Sequence, residues 1–198
     1  MVAAAAAALT GCGGTGRKAP SATGSRPAAP TLRAAPLSSF AWLRPAAGPA
    51  GWLTAQLPSR NASIAYPPSW RTFQTDPGTI SVAPAAGGPL VGYLNLTPRQ
   101  GGETAANFSG FRLAHNREEG DRAVRRLASS VGLRFQGGHG SCVADAYLSR
   151  VKANPYREVA CFVQGSRAST VVVGAAPPAQ WPRQGPIIER AISSVQER

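Results

Sequence analysis

Histidine occurs only twice in this chain of 198 residues, as His115 and His139, and no His-Glu-x-x-His stretch is present. A zinc site usually takes three or four protein ligands, so no metal is expected, and with no phosphate-binding loop in the sequence no cofactor is expected either. Lysine is as scarce: 19 of the 21 basic residues are Arg. Arg, Ala, Gly and Pro all have GC-rich codons, so much of the formal net charge of +12 reflects codon composition and is poor evidence for a nucleic-acid partner. Acidic residues are missing from the first 75 positions, which hold seven basic ones; the rest has 14 basic and nine acidic residues, a net of +5. No apolar run approaches the roughly 20 residues of a transmembrane helix. No Gly-x-Ser-x-Gly elbow is present either, which removes the usual signature of an α/β-hydrolase nucleophile.

What the N-terminus does contain is a short apolar run, Val2 to Leu9, nearly all Ala, followed by Leu9-Thr10-Gly11-Cys12. The run has the length of a signal-peptide core, and the tetrapeptide resembles the lipobox of bacterial, especially actinobacterial, lipoproteins. The resemblance implies residues 1–11 as a signal peptide, cleavage before Cys12, and a diacylglyceryl thioether with its acyl chains on that Cys. Two acyl chains suffice for stable anchoring, so the expected location is the outer, extracytoplasmic face of the cell membrane, with the membrane itself as a partner. The charged n-region is missing before the apolar run, so the true start is expected upstream of Met1. The basic residues near the anchor would each be drawn to an anionic bilayer by roughly 1 kcal/mol, or else serve only to keep a linker solvated. Gly11-Cys12-Gly13-Gly14-Thr15-Gly16 fits the dinucleotide fingerprint by letters alone. A leader precedes it and a Pro-rich tract follows, where that fingerprint needs a strand and a helix.

From Gly13 to about Ser39 the sequence is Ala, Pro, Gly, Ser, Thr and Arg without apolar periodicity. Residues 12–50 are therefore expected to be a lipidated Cys and a disordered linker, with order starting near Trp52, and residues 51–198 a single α+β domain. Strands are predicted at Trp52 to Leu57, Ser63 to Tyr66, Arg71 to Thr75, Thr79 to Ala83 and Leu90 to Leu96, and later at Ser141 to Val151, Tyr156 to Val163 and Ser169 to Gly174. Thr104 is expected to cap a helix running to about Glu119 and stopped by Gly120, and a last helix is expected to start near Pro186. Residues 121–135 fit either element: Val124, Leu127, Ala128 and Val131 have helical spacing, yet Val-Arg-Arg-Leu also suits a strand end. This order implies a mostly antiparallel sheet covered by helices. Together with the Tyr66-Pro67-Pro68-Ser69-Trp70 turn and the Val171 to Ala176 strand leading through Pro177 to the last helix, it resembles the PsbP-like sandwich. That resemblance spans residues 52–198 and carries over no functional residue.

Three Cys are present, and lipidation of Cys12 would leave Cys142 and Cys161 in an oxidising compartment, so these two are expected to pair. A tight turn at Lys152-Ala153-Asn154-Pro155 would leave them about four residues out of line; a wider loop, such as Ser149 to Asn154, or a bulge would bring them together. Candidate chemistry is thin. His115 and Glu119 lie one helical turn apart, but Phe111 beside them suits a packed helix residue. His139, in a Gly-Gly-His-Gly turn ahead of Ser141 and Cys142, has no evident partner for nucleophilic catalysis. Asp145 and Glu158 would meet if their strands pair, a carboxylate pair that suits glycoside hydrolysis, though Arg150 and Arg157 suggest ordinary surface ion pairs. Trp42, Trp52, Trp70 and Trp181 could line a glycan or peptide groove but more commonly anchor a core. No catalytic residue is assigned. The expected function is a non-enzymatic envelope module for binding or assembly, with another envelope protein or a cell-wall component as partner; the alternative is an envelope hydrolase.

Overall fold

The computed structural model describes residues 40–73, 75–85 and 91–198. Cys12, the leader and the expected linker up to Ser39 lie outside the described residues. The chain forms strands β1 (Leu53–Gln56), β2 (Ala62–Tyr66), β3 (Trp70–Phe73), β4 (Ile80–Pro84) and β5 (Tyr93–Pro98), then helix α1 (Phe108–Glu118). Strands β6 (Arg122–Phe135), β7 (Gly138–Leu148), β8 (Pro155–Gln164) and β9 (Ser169–Ala176) follow, then helix α2 (Trp181–Ser193) and a two-residue strand β10 (Gln196–Glu197). Seven strands make one antiparallel sheet in the order β3-β4-β5-β9-β8-β7-β6, and three make a small one, β1-β2-β10.

Alternation along the large sheet sends its side chains to two unlike faces. One face meets α2 and the small sheet: Ile64, Leu94, Leu96, Val172, Ile188 and Ile192 share its core. The other meets α1, with Phe108, Leu113, Val143, Phe162 and Val173 packed together. The sheets dominate and the helices cover them only in part.

Segment 121–135 is strand. Register shifts between Arg122/Arg125, Arg126/Ala128 and Ser130/Leu133 interrupt its pairing with β7. Its half-buried positions therefore fall irregularly, at Val124, Ala128, Ser130 and Leu133, while Leu127 and Val131 of the apparent helical stripe are exposed. Each bulge inserts an unpaired residue and flips the alternation. The packed region also begins earlier than residue 51: Phe40 is in the core, with Trp42, Leu43 and Trp52 against it. Ala46 N–H donates to the Ser193 carbonyl at 3.1 Å. Pro49 opens a turn closed by the Trp52 N–H at 3.1 Å, so this stretch is packed structure and not the end of a linker.

The helix ends shift for local reasons. The N-cap of α1 is Asn107, not Thr104; Asn107 Oδ1 accepts the Thr104 N–H at 2.7 Å, so the two residues form one turn ahead of the helix. Helix α2 begins at Trp181, with Pro182 in its first turn and Pro186 inside it. The Gly-rich stretch before Ser141 is not a loop. Gly137 makes the tight turn at φ 76°, and Gly138, His139 and Gly140 already belong to β7. A side chain at Gly140 would run into the Phe162 carbonyl of β8.

Cys142 and Cys161 face each other across β7 and β8 and are disulfide-bonded. The wider loop is the one used: Leu148 pairs with Pro155, and Ser149 N–H donates to the Asn154 carbonyl at 2.8 Å. Lys152 and Ala153 take φ of 60° and 50° to close it.

Candidate functional site

A cleft of about 600 Å³ opens on the α1 face, over the β3-β4-β5-β9 half of the sheet. Its size lies within the roughly 300–1,000 Å³ of small-molecule sites. Alternate residues of β5, namely Tyr93, Asn95 and Thr97, form the floor with Ser81 of β4 and Val171 and Val173 of β9. Asn95 Nδ2 donates to Ser81 Oγ at 2.8 Å, and Thr75 Oγ1 lies 3.3 Å from the same oxygen. Phe73 is 43 % exposed at one rim. Phe111 stands on the α1 side, stacked on His115 with ring centroids 6.3 Å apart. The buried Glu103 closes one end: its carboxylate accepts the N–H groups of Gln100 at 2.7 Å and Gly101 at 2.8 Å.

Behind the α1 wall lies a buried charge cluster. Tyr93, Ala175, Glu158 and Asp145 form one cross-strand row on β5, β9, β8 and β7. Arg112 descends from α1 onto this row and binds Glu158 with both arms, Nε to Oε1 at 2.6 Å and Nη2 to Oε2 at 2.9 Å. Tyr147 Oη approaches Glu158 Oε2 at 3.4 Å, at the outer limit of a hydrogen bond. Asp145 and Glu158 are both fully buried, and neither Asp145 oxygen has a partner among the described residues.

No protein-family profile matches the chain, and no curated protein does. Among solved structures, cyanobacterial PsbP from Synechocystis is 12 % identical over 76 % of this chain and 95 % of its own, with a TM-score of 0.56. The domain has a PsbP-like fold. A Bacteroides thetaiotaomicron protein is 10 % identical over 73 % of this chain, with a TM-score of 0.47, and the chain spans 48 % of its length. LpqN, involved in cell envelope biogenesis of Mycobacterium tuberculosis, is 10 % identical over 68 % of this chain and 82 % of its own, with a TM-score of 0.43.

Within this PsbP-like domain the candidate residues scatter. His115 Nε2 lies 3.7 Å from Glu119 Oε1, and both side chains are well exposed at the cleft rim. His139 is exposed opposite Arg134 on the far edge strand. Ser141 Oγ is buried without a partner, and Cys142 is held in the disulfide, so neither is paired with a histidine. Among the described residues no cluster of His, Cys, Asp and Glu could hold a metal. Trp70 is buried, and the other three tryptophans pack against the same core; none lines the cleft.

Asp145 and Glu158 do meet, but as a buried pair rather than surface ion pairs. Arg112 is the cation of Glu158 alone, and Arg157 instead lies 4.5 Å over the Trp181 ring. The available signal for Arg112 was its position, one turn beyond Phe108 and one turn before the buried Asn116 on the same helical stripe.

Electrostatics sort the cluster. Burial opposes the Arg112 charge, but Glu158 more than offsets it and holds the guanidinium protonated. Burial, then the nearby Glu158 charge, raise the Tyr93 and Tyr147 hydroxyls and keep them neutral. The same two causes push Asp145 up to about 8, against the pull of Arg112. The unfolded carboxyl titrates near its ordinary 3.8, so the proton is held more tightly in the native state. Asp145 therefore contributes its stability fully below about pH 4 and loses it as pH rises through about 8. Asp145→Asn, which mimics the protonated form, is expected to raise stability at pH 8 by on the order of 2–4 kcal/mol. It should also flatten the slope of urea-unfolding free energy against pH. A residual slope of the same sign should persist from Glu197, which burial raises to about 7 against the Thr170 hydroxyl bond. An unchanged slope would mean that Asp145 is ionised in the native state.

Proposed function

We propose that this chain is a lipid-anchored protein of the outer membrane face, tethered through Cys12, whose domain binds an uncharged, hydroxyl-rich ligand, such as a short glycan segment, without transforming it. The cleft carries this reading. Its floor offers hydroxyl and amide groups from Ser81, Asn95 and Thr97, and Phe73 and Phe111 flank them. Such a mix suits sugars, whose hydroxyls both donate and accept while their C–H faces lie on aromatic rings. The one arginine among the described lining residues, Arg112, is committed to Glu158, so a phosphate or carboxylate finds no free guanidinium. The two buried carboxylates that might have served hydrolysis stand outside the cleft lining. Phe40, where the described residues begin, packs on the α2 face, opposite the cleft.

The test uses the full chain, made in a bacterial host behind a leader completed with a charged n-region ahead of Met1, and recovered from membranes in detergent. Intact mass is expected to show a diacylglyceryl group on Cys12. Calorimetric titration with N,N′-diacetylchitobiose and maltotriose is expected to show saturable binding of at least one, weakened about tenfold or more by Asn95→Leu and by Phe73→Ala. An unmodified Cys12 rejects the anchor. Lack of binding rejects the glycan, and glycosidic cleavage that depends on His115 or Glu119 restores the hydrolase alternative.

A further inference from the structure

We propose that the β6 edge of the large sheet is a docking surface for an anionic lipid bilayer. Strand β6 is the last strand of the seven and runs for 14 residues, roughly 46 Å at 3.3 Å per residue. Arg122, Arg125, Arg126 and Arg134 are all exposed along it, and no acidic residue occurs from Arg122 through Ala144. None of the four is in a salt bridge among the described residues. Arg126 stands opposite Asp145 in the register, but Asp145 is buried and neither of its oxygens has a partner. Arg122 pairs with Leu148, which brings the exposed Arg150 and Lys152 of the following loop to the same end. The acids nearest in sequence, Glu118, Glu119 and Asp121, precede the strand at that end, and Asp121 already accepts the Arg150 N–H at 2.9 Å.

Two further features select a bilayer over another anionic partner. Leu127 and Val131, 39 % and 67 % exposed, are interleaved with the arginines; aliphatic tips among cations suit the headgroup–acyl boundary. The cations are also strung along a line instead of converging on one pocket. The bulges, with Ala123 at φ 53° and Gly132 at φ 69°, disfavour pairing with a strand of another protein. Docked by this edge, the domain would hold β5 four strands away from the membrane and β3 six, roughly 20–30 Å at the spacing of strands. The cleft, which lies on a face of the sheet, would then open sideways at that height above the lipid surface.

The inference does not need the lipid on Cys12, so the test uses the full chain carrying Cys12→Ser. Cosedimentation is measured with vesicles of phosphatidylglycerol and phosphatidylcholine in equal parts, and with phosphatidylcholine alone. Binding is expected only to the anionic vesicles, and to vanish near 1 M salt, where the screening length falls to about 3 Å. Arg122, Arg125, Arg126 and Arg134 all changed to Gln should weaken partition by about 10²–10³-fold, at about fivefold per charge. The charge-matched control, Arg60, Arg167, Arg183 and Arg190 all changed to Gln, should lose less than tenfold. An equal loss in the control would show that net charge alone drives adsorption, and absence of binding at low salt would also overturn the proposal. Should the β6 variant aggregate, hydrogen exchange of the Cys12→Ser chain on vesicles decides: protection must appear in residues 122–135, and protection confined elsewhere refutes it.

Discussion

Replacing Arg112 with methionine is expected to destabilise the domain by about 3–5 kcal/mol, the usual cost of removing one partner of a buried ion pair. Glu158 has no exposed side-chain surface, and the Arg112 side chain only 16 %. Without the guanidinium, Glu158 would sit as an uncompensated charge facing Asp145 in the β7–β8 register. The double variant Arg112→Met with Glu158→Met is expected to recover much of the loss, because burying two apolar chains avoids the desolvation of both ions. Urea unfolding of the four proteins closes the cycle, and a coupling below about 1 kcal/mol would show that the pair behaves as an exposed one. Helix α1 adds a second readout. It contributes few apolar side chains, chiefly Phe108 and Leu113, so the ion pair is a large share of its attachment. Amide exchange in Phe108–Glu118 should rise in Arg112→Met, and the cleft should lose its wall.

Removing the disulfide, by Cys142→Ala with Cys161→Ala, is expected to lower unfolding stability by about 3 kcal/mol. The bond closes a loop across a sequence separation of 19, and in the chain-entropy view its main effect is to restrict the unfolded state. Both residues are fully buried in the core beneath α2, so the alanines also leave a small void that adds to the loss. Since the bridge joins strands already neighbours in the register, the fold should survive with its β-sheet circular dichroism intact. Thiol labelling of unreduced, urea-unfolded protein supplies the control: reactive Cys142 and Cys161 would mean that the bond is absent.

These two devices differ in how visible they were in the sequence. The disulfide was visible because lipidation of Cys12 would leave two cysteines in an oxidising compartment; their register was not, since a tight turn would have set them about four residues out of line and the structure uses the wider loop. Most strands could be recognised for a local reason, as period-2 runs bounded by Pro, Gly or Asp. Segment 121–135 was ambiguous because bulges erase that period. Strand β10 is only two residues long and has no pattern of its own; it exists because α2 delivers it beside β2.

By itself the sequence determined the α+β class, the concentration of positive charge ahead of Asp76, the lipobox-like Leu9-Thr10-Gly11-Cys12 and the expectation, though not the register, of a Cys142–Cys161 bridge. Each depends on residues close in the chain or on composition. Only the tertiary structure decided the partner of Glu158. Arg112 is 46 residues away, whereas Arg157 is its neighbour in sequence but lies on the other face of the strand, because successive side chains alternate. Only the tertiary structure made the cleft, since β5 meets β9 across more than 70 residues of intervening chain and α1 must then cross the same face. Among the described residues the same sheet order leaves no strand on the outer side of β6, so its arginines lie along one edge. These features follow from strand order and register, which set which face each side chain occupies and which distant residue it meets.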